Sequence, residues 1–143
     1  MTSVVFLSAA RTAIGSFGGS LKDTSAVELG SVAARAAIER SAVMPTDIGL
    51  TVFGNVIQGE SLDPYLSRVV SVRAGVPKAA PAMAVNRLCG SGLQAIVSAA
   101  QSVRLGDTGV ALAGGAESMS NGGMVIKGLR WGHKLGATET VDL

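Results

Sequence analysis

An α/β fold, built on a mostly parallel sheet with helices on both faces, is what this 143-residue sequence predicts. Two observations carry that reading. Short apolar runs of strand length alternate with longer segments whose apolar residues recur at helical spacing. Glycines and prolines fall between those periodic segments rather than inside one flexible stretch, which marks junctions in a layered fold.

The elements follow in order. Val4-Val5-Phe6-Leu7 reads as a short buried strand. Ser25-Ala26-Val27-Glu28 has the spacing of a capping box and opens a helix expected to bury Leu29, Val32, Ala33 and Ala36. Arg35 and Glu39, four apart on its outer side, are placed to pair. Leu50 to Phe53 is the second strand. Asp63-Pro64 supplies an N-cap and a first-turn proline for a helix through Leu66, Val69 and Val70, stopped by Gly75 and Pro77. Ala82 to Val85 is the third strand. A long small-residue helix runs from Ser91 to Leu105, expected to bury Leu93, Ile96, Val97, Ala100 and Val103 and to be covered on most of its surface. Val110 to Ala113 is the fourth strand, and Gly106 ends the helix before it. Residues 1–118 therefore form one domain, and 119–143 the truncated start of an irregular loop subdomain.

Composition removes several function classes. Charged residues are 15% against 48% hydrophobic, which fits a chain that buries much of its surface. The net charge of +2 is scattered, and with five aromatic residues no nucleic-acid-binding stripe forms. No apolar run approaches the ~20 residues of a membrane helix. A single cysteine excludes an intrachain disulfide and a cysteine metal cluster, and no metal site is expected. The expected first strand follows Met1-Thr2-Ser3 at once, so no leader is expected, and a reducing cytoplasmic setting is.

That cysteine, Cys89, is the candidate catalytic residue. It lies in Asn86-Arg87-Leu88-Cys89-Gly90-Ser91-Gly92, between a strand and a helix start. Unpaired N–H groups there carry about half a positive charge and favour a thiolate. Gly90 and Gly92 keep side chains off the approach. Against this stands the ordinary fate of a lone cysteine as a small buried hydrophobe; the glycines and the helix start outweigh it.

Four blocks set the context. Asn86 to Ile96 resembles the N-terminal signature of the thiolases, the acyl-CoA acetyltransferases. Ala10-Arg-Thr-Ala-Ile-Gly-Ser-Phe-Gly-Gly-Ser-Leu21 is similar to the family's opening segment, Phe53 to Gly59 to its second strand and following loop, and Ala113 to Ser120 to its fourth strand. The resemblance covers residues 1 to about 120 and is nearest to the short-chain biosynthetic branch. It implies the N-terminal half of the layered thiolase fold and ping-pong acyl transfer through Cys89, by condensation of two acyl-CoA or thiolysis of a 3-ketoacyl-CoA. Coenzyme A thioesters and CoA are then substrates, no resident cofactor is needed, and a homo-oligomer is expected.

The family's activating histidine sits in a Gly-His-Pro motif of the C-terminal half, together with its second cysteine; neither is in this chain. His133, within Gly132-His133-Lys134, is not that motif and reads as a solvated or interface histidine. The missing half comes from a second polypeptide, or the chain is a cleaved or truncated product.

Other motifs weigh less. Gly114-Gly115 lacks the lysine and serine of a phosphate loop. Gly90 to Ala95 fits a loose dinucleotide pattern with Glu117 further on, but close packing explains those glycines better, and a structural hydrogen-bonding role suits Glu117. Asn55, Gln58 and Glu60 form a polar cluster that the resemblance puts near a dimer interface and a neighbouring active site. Arg11 and Arg87 read equally as pairing or surface residues. The rival functions are a non-catalytic assembly module with an inert Cys89, and a ketoacyl-synthase relative. The blocks at Ala10 and Ala113 favour thiolase over the latter.

Overall fold

The computed structural model describes residues 3–143. Three parallel strands form its centre: β1 (Leu50–Gly54), β2 (Ala82–Val85) and β3 (Ala111–Gly115), in the order β2-β1-β3. Val52 stands opposite Met83 on one side and Ala113 on the other. Helix α1 (Ala26–Ser41) precedes β1, α2 (Leu66–Arg73) joins β1 to β2, and α3 (Ser91–Leu105) joins β2 to β3.

The chain crosses the sheet in one direction through α2 and in the other through α3. Right-handed crossovers running in opposite directions must lie on opposite faces. The packing agrees with that rule. Val27, Ala34 and Ile38 of α1 and Leu66 and Val70 of α2 share one core with Phe53 and Leu112. Ala95 and Ala99 of α3 pack on Val52 with Leu50, Ala111 and Ala113 on the other face. The expected parallel sheet covered on both faces is thus present.

Local signals work as the chemistry requires. Ser25 Oγ accepts from the N–H of Glu28 at 3.1 Å and caps α1. Gly106, at φ +85°, ends α3 in the left-handed conformation. Asp63 departs from its expected role: its carboxylate accepts from Gly59 and Glu60 N–H, both at 2.9 Å, closing the loop behind it instead of capping α2. Arg35 donates to the Arg73 carbonyl (3.2 Å), linking α1 to α2 rather than pairing along its own helix.

Three further expectations are corrected. Val4–Leu7 forms no strand; Phe6 is 80% exposed, and the segment runs beside α1, tied by Ser8 to the Ala37 carbonyl and by Arg40 to Ala9. A strand needs a hydrogen-bonded partner strand as well as an apolar run, and this run lies beside α1 and pairs with no strand among the described residues. In α1 the buried side is Val27, Gly30, Ser31, Ala34 and Ile38, with Val32 exposed. In α3 it is Ser91, Ala95 and Ala99, with Leu93 65% and Val97 41% exposed, so the helix is covered along one stripe only. α3 presses its smallest residues on the sheet, because a small stripe lets a helix approach closely, whereas α1 turns Val27 and Ile38 into the core it shares with α2.

Residues 119–143 are not shapeless. After a short turn at Met119–Asn121, β4 (Met124–Ile126) pairs antiparallel with β5 (Thr140–Asp142). Ser118 and Asn121 side chains donate to the Thr24 carbonyl, anchoring this tail near the start of α1.

Candidate active site

β2 ends at Val85, and four residues later comes Cys89, one residue ahead of Gly90, which opens α3. The turn between them is tightly specified. Asn86 Oδ1 accepts from Leu88 N–H at 3.1 Å, an Asx turn. Leu88 is held at φ +51°, a conformation that is an outlier for a bulky side chain and costs on the order of 1–3 kcal/mol. Ser91, only 5% exposed, locks the turn from below: its hydroxyl accepts from Arg87 N–H (2.8 Å) and donates to the Leu88 carbonyl (2.6 Å). Gly90 N–H donates to the Arg87 carbonyl and Ser91 N–H to that of Leu88. These two amides, which the sequence places at the helix start, therefore serve the turn. What results is an elbow that projects the next residue outward, and Cys89 is exposed.

The elbow sits on the carboxyl ends of the strands, where open α/β sheets bind ligands. Its closeness depends on glycine, though not at the expected places. A Cβ on Gly54 would lie 2.7 Å from the Ser91 main-chain carbon and 2.9 Å from Gly92 N. One on Gly114 would meet the Phe53 ring at 2.9 Å, and one on Gly115 the Gly54 carbonyl at 3.1 Å. A Cβ on Gly92 would point into open space, so Gly92 clears the approach rather than packing.

Cys89 lines an open cleft of about 690 Å³ with Leu88, Val56, Ile57, Ala116 and Met119. Glu117, at its edge, has the structural role expected of it. Its carboxylate accepts from Val56 N–H (3.0 Å), Ile57 N–H (2.9 Å) and Asn55 Nδ2 (3.0 Å). Of the expected polar cluster, only Asn55 is buried; Gln58 and Glu60 are exposed. Arg87 and Arg11 lie on the surface, Arg87 donating to Gln94 Oε1 at 3.1 Å and Arg11 to the Thr12 carbonyl. His133 is in the exposed segment between β4 and β5, and is not among the residues lining the cleft. Among the described residues no group of three or more His, Cys, Asp or Glu could hold a metal, and no helix is long and apolar enough to cross a membrane. The strained Leu88 and the Glu117 bridge are features that sequence reasoning missed or saw only in outline; Asn86-x-Leu88 was the available signal for the first.

Comparison with known proteins decides the family. The model of the thiolase N-terminal domain matches residues 4–143. The chain belongs to the thiolase family. A beta-ketothiolase of Cupriavidus necator, BktB, is 56% identical over 98% of this chain and 36% of its own length. The acetyl-CoA acetyltransferase of the same organism is 43% identical over 99% of the chain and 36% of its own. In solved structures, human mitochondrial 3-ketoacyl-CoA thiolase in complex with CoA superposes with a TM-score of 0.88 at 42% identity, across 93% of this chain and 34% of that one. The acetyl-CoA acetyltransferase of Bacillus anthracis gives 0.90 at 36% identity, across 96% and 35%. The thiolase fold is thus shared, and the chain spans about a third of the length of these relatives.

Proposed function

We propose that this chain carries the nucleophile of an acyl-CoA acyltransferase of thiolase type. The observation that carries the reading is Cys89 itself, the chain's single thiol, projected by a strained elbow into a cleft at the strand ends. In the first step the Cys89 thiolate attacks the carbonyl carbon of an acyl-CoA thioester. The Sγ–C bond forms, the bond from carbon to the CoA sulfur breaks, and CoA leaves as a thiolate that takes up a proton. In the second step the carbanion of an acetyl-CoA attacks the acyl-cysteine, giving a 3-ketoacyl-CoA and returning the thiolate. In the degradative direction Cys89 attacks the 3-keto carbon of a 3-ketoacyl-CoA, and the bond from that carbon to the 2-carbon breaks. The released carbanion takes up a proton and leaves as acetyl-CoA, and free CoA as thiolate then takes the acyl group and returns the Cys89 thiolate.

The N–H of Cys89 is the oxyanion donor in this reading, because main-chain amides at a helix start stabilise charge developing on the carbonyl oxygen. CoA thioesters are substrates here, not resident cofactors. Removing the acetyl-CoA proton requires a base, which a C-terminal thiolase half supplies as a separate chain or as the continuation of this one. Exposure of Phe6, Leu93 and Val97 supports a missing cover. The open edge of β2, the outer strand on that side of the sheet, supports a homo-oligomer.

The test is direct. The assembled enzyme is incubated with acetyl-CoA, quenched in acid and mapped by peptide mass spectrometry. Acetyl label is expected on Cys89 and lost in Cys89→Ser; label elsewhere, or full turnover in that variant, would overturn the assignment.

A further inference from the structure

Glu117 and Asn55 lie about sixty positions apart in sequence, yet they meet at the cleft. Asn55 is 3% exposed at the end of β1. Its Nδ2 donates to the Ala116 carbonyl and to Glu117 Oε1, both at 3.0 Å. Its Oδ1 is buried without a partner. Turning the amide over would set an oxygen against a carbonyl and a carboxylate, so the donor must face Glu117. Glu117 in turn collects Val56 and Ile57 N–H. Two wall segments of the cleft lie side by side, one after β1 with Val56 and Ile57 and one after β3 with Ala116 and Met119. The bridge between the walls is a charge-assisted network, stronger than neutral hydrogen bonds.

We propose that Glu117 and Asn55 are positioning residues that fix the separation of these two walls and so set the size of acyl group admitted to Cys89. The acyl part of this inference rests on the thiolase reading; the wall separation does not. Glu117→Gln leaves the shape but turns one donor toward the N–H of Val56. Asn55→Asp puts a carboxylate against a carboxylate. In the double variant the new side-chain amide at position 117 can donate to the new carboxylate at position 55, and the bridge is partly restored.

The assembled enzyme is alkylated at Cys89 with iodoacetamide and, separately, with the bulkier N-phenyliodoacetamide, and the ratio of the two rates is read. In each single variant the preference for the small reagent should fall by about threefold or more, the low end of coupling within one hydrogen-bond network, and the double variant should recover part of it. A lesion that is merely structural would slow or speed both reagents together. Equal change for both reagents, or single effects that simply multiply in the double variant, would overturn the proposal. Glu117→Asp, which keeps the charge but shortens the reach, serves if Asn55→Asp does not fold, and should shift the ratio in the same direction. Neither reagent is a thioester, so failure of acetyl transfer at Cys89 would leave the ratio readable.

Discussion

Gly54→Ala is the sharpest perturbation of the elbow that does not touch it. The added Cβ would lie 2.7 Å from both the main-chain carbon and the Cβ of Ser91, and 2.9 Å from Gly92 N. Ordinary contact begins at 3.4 Å, so the first turn of α3 or the end of β1 must give by about 0.7 Å. The atoms met are backbone and the short stub of a buried serine, so no flexible tip can swing away. Overpacking of this kind costs about 1–3 kcal/mol. Cys89 stands two residues before Ser91 and shifts with it. A displacement near 1 Å at a reacting group can cost about a hundredfold in rate. The expected outcome is therefore a folded protein of lower Tm whose acetylation at Cys89 slows by about two orders of magnitude, read by quenched-flow mass spectrometry beside a thermal melt. Gly109→Ala, where a Cβ meets nothing within 4 Å, is the control. Acetylation within threefold of wild type in a stably folded Gly54→Ala protein would refute the claim that this close approach places the thiol.

Ser91→Ala removes both hydroxyl bonds that hold Leu88 at positive φ, and should slow Cys89 acetylation by about tenfold or more; Leu88→Gly, which adopts that conformation freely, should rescue part of the loss in the double variant. His133→Ala should change kcat/KM by less than about tenfold, a barrier change below ~1.4 kcal/mol, and a loss of three orders of magnitude would make it the base. Residues 1–143 expressed alone should be inactive and self-associated on size exclusion, and co-expression with a C-terminal thiolase half should restore solubility and CoA release. A soluble, active monomer would contradict that.

What was legible in the sequence was whatever is encoded over a few neighbours. The capping serine at 25, Pro64, Gly106 and the apolar runs at 50 and 82 each act within one turn or one strand, and the elements stand where they indicate. The faces of α1 and α3 were not legible. Bulky residues such as Leu93 and Val97 dominate the apolar pattern, while contact with the sheet is decided by Ser91, Ala95 and Ala99, whose virtue is small size. Strand pairing at Val4–Leu7 depends on which surface the run meets, here α1, which no local pattern reports. At the site, the lone cysteine and its helix were readable, whereas Leu88's positive φ, held by side-chain bonds from Asn86 and Ser91, went unread, and the Asn55–Glu117 bridge arises only when β1 and β3 come together.

The central position of β1 has a temporal consequence. It pairs with β2 about thirty residues downstream and with β3 about sixty downstream. At the ~5–20 residues per second of synthesis, Gly54 waits several seconds on the ribosome before Gly115 exists to pair with it. Cys89 is made in that interval. The Cys89 sulfur thus emerges into the cell before the wall carrying Ala116 and Met119, and for those seconds it is shielded only by whatever the nascent chain has already met.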